Sequence, residues 1–257
     1  MPPGGAAAIL RPCRSAEFPA PIPSSRTVRI LALETSSEHC SCALWHDGTV
    51  TDSVAHAGQR HSSLLLPMAT ALMAQAGTSF AILDAIAFGA GPGSFTGVRI
   101  ACSVAQGLAF ARDLPLLPVV TLEALAHAAG ARRVIACIDA RMDELYLAAY
   151  ERTDAGWCTP LAPMLVRPDA LPALPGPWHG CGSGFAAHAA PLAACYDIVS
   201  FAADAFPQAR AVAELGALMR QAGGGVAAAA AGPLYLRDKV ALDVREQAAA
   251  RAARQAA

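Results

Sequence analysis

The sequence predicts an α/β protein of two lobes, each built on a mixed sheet with helices. Three observations predict it. From Arg29 onward, three strand-like segments are followed by alternating helical and strand-like segments, the order that gives one mixed-sheet lobe. At Arg133 the same opening begins again. The 257 residues are 54% apolar, enough to bury cores in one large domain or two modest lobes.

The elements follow in order. RILALE, CSCALW and TVTDSVAH read as an antiparallel opening, with SSE and HDG supplying the turns. HSSLLLPMATALMAQAG has helical spacing, with Leu65, Met68, Leu72 and Gln75 along one side and Gly77 as a stop. Pro67 is tolerated there if the helix starts near Leu64. AIAFGA is a short buried strand, and GPGSFTGVRIACSVAQGLAFARD turns through glycines into a long apolar helix. LPLLPVV is a strand and TLEALAHAAG a short helix. Past Trp157 the pattern weakens into Pro-rich connections over 160–177, a GCGSG turn at 180–184 and a helix across QARAVAELGALMRQAG.

RVIACIDARMDELYLAAY lies over RILALETSSEHCSCALW at a constant offset, Ile135 on Ile30 and Tyr150 on Trp45, with Asp139 and Glu34 as the acids ending each first strand. Such a match marks internal duplication. A duplicated lobe with two or three antiparallel strands and an acid after the first has the layout of the actin, sugar kinase and Hsp70 ATPase fold. The expected organisation is a flexible tail at 1–27, lobes at 28–130 and 131–241, and a helical or disordered tail at 242–257.

Composition removes several function classes. The net charge of -1 and charged fraction of 15% provide no whole-chain basic field for stand-alone nucleic-acid binding. The eight cysteines are scattered, mostly in apolar runs, which suggests reduced, cytosolic thiols. Cys40 and Cys42 share a strand face, yet no second pair has ligand spacing. The proline-interrupted first segment lacks an export signal's apolar core. Arg99, Gln106, Arg112 and Asp113 break the longest candidate for a membrane span.

The sharpest motif is GAGPGSFTGVRI, residues 89–100. Its glycines free the backbone between strand and helix, and amides at a helix start can hold an anion. The Lys of a P-loop is missing, and Arg99 lies two residues beyond Gly97. Glycine content alone fits a tight strand-to-helix joint better than an anion loop. Possible contacts to an anion or interface nucleotide are Glu34, Thr35, Ser36, Gly91, Gly93, Ser94, Thr96, Gly97 and Arg99. Seven histidines show no HExxH or i, i+4 pairing. Ser183 lacks the glycine two residues before it that a hydrolase elbow needs, since that position is Cys181.

LALETS, GPGSFTGVRI, IDARMDELY and PLYLRDKVA, in this order across residues 28–241, resemble the TsaB (YeaZ) side of the TsaD/TsaB family, which makes threonylcarbamoyladenosine on tRNA. The resemblance implies a non-catalytic subunit in the cytoplasm that binds and activates the catalytic paralogue TsaD. The ATPase TsaE would join them, and tRNA would be met only through the complex. ATP and metal would act in those partners, with no cofactor bound by this chain alone and no membrane contact. The catalytic relative has an HxxxH metal pair on the helix after the fifth strand. Thr121 and Leu125 stand in those places here, and Leu cannot ligate a metal. His127 is two residues out of register, roughly 200° round the helix. Glu34, Thr35 and Ser36 replace the DxGxT of a phosphate-gripping hairpin, and only Gly180, Gly182 and Gly184 stand where that relative has a long adenosine loop. The alternative function is a stand-alone ATPase or kinase of the same fold, which needs a metal-holding acid and a complete adenosine loop. For the subunit reading, the apolar helices at 61–76 and 98–111 would form the partner face through Leu65, Met68, Leu72 and Val104. A homodimer would use the same face when the partner is missing.

Overall fold

A computed structural model describes residues 27–153 and 156–237. Both expected tails lie outside the described residues, Thr27 excepted. The first sheet holds β1 (Arg29–Glu34), β2 (His39–His46), β3 (Thr49–His56), β4 (Ala85–Gly91) and β5 (Leu116–Val120), in the order β3-β2-β1-β4-β5. The first three form the predicted antiparallel meander, and β4 and β5 run parallel to β1. Alternation along β1 sends Leu31 and Leu33 to one face and Ile30 and Ala32 to the other, and all four are buried.

Helices α1 (His61–Gln75) and α2 (Phe95–Phe110) cover the Leu31 face, where Leu65, Leu72, Ala101 and Ala105 pack with Leu33, Ile86 and Phe88. α1 begins at His61, where the predicted 61–76 helix begins, three residues before Leu64, so Pro67 sits in its second turn. It cannot donate to the Ser63 carbonyl, a cost the buried apolar side offsets. α2 starts early, because the Ser94 hydroxyl caps it by accepting from the Gly97 N–H at 3.3 Å.

The second sheet holds β6 (Arg133–Arg141), β7 (Glu144–Thr153), β8 (Gly156–Val166), β9 (Pro177–Cys181) and β10 (Asp197–Ala202), in the order β10-β9-β6-β7-β8. Taken from its other edge, this is the order of the first sheet, as duplication requires. The hairpins differ in register: Ile30 pairs with Trp45, but Ile135 pairs with Ala149 rather than Tyr150. A bulge between Asp139 and Arg141 and a shorter turn account for the slip. None of β8, β9 and β10 is legible as a strand in the sequence, and Gly180 and Cys181, expected in a turn, end β9. β8 contains Pro160 and Pro163, tolerated because it is an edge strand pairing with β7 alone. β10, also at an edge, is largely exposed.

The division at 130/131 separates the sheets but not the helices. α3 (Thr121–Ala129), counted with the first lobe, packs Leu122, Leu125 and Ala126 on Val134, Ala136 and Ala148 of the second sheet. α6 (Ala209–Gln221), counted with the second, packs Val212, Ala213 and Leu215 on Ile30, Ala32, Ala85 and Ala87 of the first. Small side chains allow the close approach. A Cβ on Gly216 would stand 2.8 Å from that of Ala87. The His127 ring meets the Glu214 carboxylate at 2.8 Å and ties α3 to α6. α4 (Gly184–Ala187) and α5 (Ala189–Cys195) close the far face of the second sheet through Phe185 and Leu192.

Cys40, Cys42, Cys102, Cys137, Cys181 and Cys195 are free thiols. Burial pushes the Cys40 thiol up to about 11 and that of Cys42 up to about 12, which suits inert core side chains. No helix among the described residues is long and apolar enough to cross a membrane.

Candidate functional site

The two lobes enclose a cleft of about 810 Å³. One wall is the first hairpin turn, Ser36 to His39, with the start of α2. The other is the second hairpin, Asp139 to Arg141, with Tyr146 and Ser183. Residues 234–237 also line it. Of the sequence-selected residues, Ser36, Gly93, Ser94, Thr96 and Gly97 line this cleft.

Glu34 and Thr35 are buried behind that wall. Glu34 Oε1 accepts the Ser36 N–H at 2.6 Å. Burial pushes the Glu34 carboxyl above the usual carboxylate range, and the Ser36 and Thr121 contacts pull it partly back. Thr35 donates its hydroxyl to the Gly97 carbonyl at 2.7 Å, and the Ser94 N–H donates to the Ser36 carbonyl at 2.7 Å. The two motifs therefore form one joint of hydrogen-bonded backbone.

The glycines serve this joint. A Cβ on Gly97 would overlap the Thr35 carbonyl, and one on Gly93 would lie 2.7 Å from the Ser36 Cβ. Gly91 has φ 103, a conformation glycine adopts without strain. Its N–H donates to the Thr121 hydroxyl at 3.1 Å. Arg99 does not point free into the cleft. Its guanidinium lies 3.6 Å from the Phe95 ring centroid and its Nε donates to the Tyr235 hydroxyl at 2.7 Å.

Thr121 and Leu125 are both core residues, exposed by no more than 1%. A Cβ on Gly182 would come within 2.7 Å of Leu125 Cδ2, so that position is filled by packing.

The outer candidates require a correction. Leu65 and Leu72 point into the core of the first lobe and cannot face a partner. Met68 and Val104 are half-buried at the rim of that core, beside Leu64, Ile100 and Leu108. These form a partly exposed apolar strip along α1 and α2. Helical spacing identified the apolar helices but could not give their rotation. Sequence reasoning also missed Arg237 and the second hairpin turn, where Arg141, Met142 and Asp143 take left-handed φ of 62, 58 and 56.

Fold and cleft together define a two-lobed α/β protein of the actin-like ATPase class. A family model described as TsaD, tRNA N6-adenosine threonylcarbamoyltransferase, matches residues 54–252, and the chain belongs to that family. Within it the similarity is to TsaB (YeaZ) members. The chain is 42% identical over 169 residues to the Escherichia coli K12 tRNA threonylcarbamoyladenosine biosynthesis protein TsaB, covering 62% of this chain and 73% of that protein. It is 45% identical over 131 residues to the Haemophilus influenzae TsaB, covering 49% of this chain and 56% of that one. A Pseudomonas aeruginosa structure described as similar to peptidase YeaZ superposes with TM-score 0.76 at 38% identity, over 82% of this chain and 100% of that one. A second, YeaZ from the same organism, gives 0.74 at 38% identity over 81% and 100%.

Proposed function

We propose that this chain is the non-catalytic subunit for N6-threonylcarbamoyladenosine modification of tRNA, next to the anticodon, and that it acts by binding and activating the catalytic subunit TsaD in the cytoplasm. TsaE joins the assembly, tRNA is met through the complex, and ATP and metal act in the partner subunits. The observation that carries this reading is the burial of Thr121 and Leu125, the positions at which the resemblance puts the catalytic histidines. One is sealed against Gly91, and the other fills a core. A metal-bound substrate could not reach either. The relatives named for threonylcarbamoyladenosine biosynthesis support the pathway. The apolar strip with Met68 and Val104 supports docking, since such a strip loses less on burial than a charged face.

The test is reconstitution. Purified TsaD and TsaE with threonylcarbamoyl adenylate and substrate tRNA should modify the tRNA only when this chain is added. The chain alone should neither hydrolyse ATP nor modify tRNA. Modification at full rate without it, or ATP turnover by it alone, overturns the assignment.

A further inference from the structure

We infer that residues 233–237 form an intramolecular latch that holds the two lobes at a set angle. The segment is fastened at both ends. On the first lobe, the Leu234 N–H donates to the Ala90 carbonyl at 2.7 Å, at the end of β4. A Cβ on Gly91 would stand 3.1 Å from the Leu234 carbonyl oxygen, so the strand admits the segment closely. Tyr235 accepts from Arg99 and has its ring centroid 5.9 Å from that of Phe95.

On the second lobe, the anchor is Arg237. Its Nη2 donates to the Ala140 carbonyl at 2.9 Å, the Arg141 carbonyl at 3.4 Å and the Glu144 carboxylate at 2.5 Å, and Nη1 approaches the Met142 sulfur at 3.5 Å. The Arg237 side chain is only 16% exposed. A guanidinium with five donors in a fixed fork suits this cluster of carbonyl and carboxylate oxygens.

The hairpin it grips is the strained one. Three consecutive non-glycine residues with left-handed φ persist only when surrounding contacts hold them. Those contacts are Arg237 on the Ala140 and Arg141 carbonyls, Asp139 on the Arg141 N–H at 2.8 Å, and Arg167 on Asp143 at 3.4 Å. The segment thus joins the end of β4 in the first sheet to the turn that walls the far side of the cleft. Only Leu236 separates Tyr235 from Arg237, so the tether is short. A change in interlobe angle must loosen an anchor or deform the turn, and coupling runs in both directions.

Two variants of the full chain test this by hydrogen exchange of the amides at 140–144. Arg237→Ala removes the far anchor. Insertion of Gly-Gly between Tyr235 and Leu236 keeps both anchors but slackens the tether, lowering the effective concentration of Arg237 at the turn. A latch predicts faster exchange in both variants, about fivefold or more, with β1 and β4 amides still protected. If only Arg237→Ala accelerates exchange, the contacts are independent and the latch is refuted. The same holds if neither variant does, or if only the insertion does. Should the insertion fail to fold, Arg99→Ala replaces it. That substitution removes the contact to Tyr235 within the first lobe, so it must accelerate exchange at 140–144 by at least twofold. Unchanged exchange there also refutes the latch.

Discussion

Gly97→Ala tests whether the glycine loop exists to join two backbones. Gly97 lies in the first turn of α2, where alanine would ordinarily raise helix stability by up to about 1 kcal/mol. Here the added Cβ would stand 3.0 Å from the Thr35 carbonyl carbon and overlap its oxygen, both backbone atoms that cannot rotate away. Overpacking of this kind costs about 1–3 kcal/mol. Displacing Thr35 also weakens its hydroxyl bond to the Gly97 carbonyl, a further contribution of about 1 kcal/mol. After the propensity gain, the net loss is about 1–3 kcal/mol. Gly107, on the same helix, has nothing within 4 Å of a built Cβ, so Gly107→Ala should stabilise by about 0.5–1 kcal/mol. Urea unfolding followed by circular dichroism measures both. At about 2–4 °C per kcal/mol, melting temperatures should fall by several degrees for the first variant and rise by a few for the second. A Gly97→Ala protein at least as stable as the parent would refute the joint, whatever Gly107→Ala does.

Met68→Glu should leave the circular dichroism spectrum unchanged and abolish co-elution with TsaD, whereas Leu72→Glu should lose about 4 kcal/mol or more and unfold, because only the second places a carboxylate in a closed core. Thr121→Val keeps the shape but deprives the buried Gly91 N–H of its acceptor, and a urea titration should show a loss of about 1–3 kcal/mol. Glu34 supplies a pH dependence with a definite sign. Burial raises its folded pKa above the ordinary 4.5, so the folded state holds the proton more tightly. The resulting destabilisation is absent below 4.5, grows as pH rises toward the raised folded pKa and is constant above it. Glu34→Gln should therefore gain stability relative to the parent as pH rises above 4.5, and a difference in urea midpoint that does not change from below 4.5 upward would count against a buried acid that holds its proton more tightly in the folded state.

Local pattern determined much of this protein. Period-two alternation and turn residues placed β1 to β5, and the matched spacing of Glu34 and Asp139 revealed the duplication that the two strand orders repeat. GPGSFTG announced a strand-to-helix joint because glycine and serine there have local backbone consequences. The rest needed three dimensions. Leu65 and Met68 are equally apolar, and only the rotation of α1 against the sheet buries the first and leaves the second at the rim. The strand at 156–166 hid behind prolines that only an edge position permits. The exchange of α3 and α6 between sheets is set by which apolar faces remain uncovered, a property of the assembled layers. Arg237 stands far along the chain from the hairpin it grips, and its contacts there, two backbone carbonyls and the Glu144 carboxylate, come together only in the folded chain. Sequence carries periodicity and local conformational preference. Side-chain direction and long-range backbone contact arise only when the elements pack.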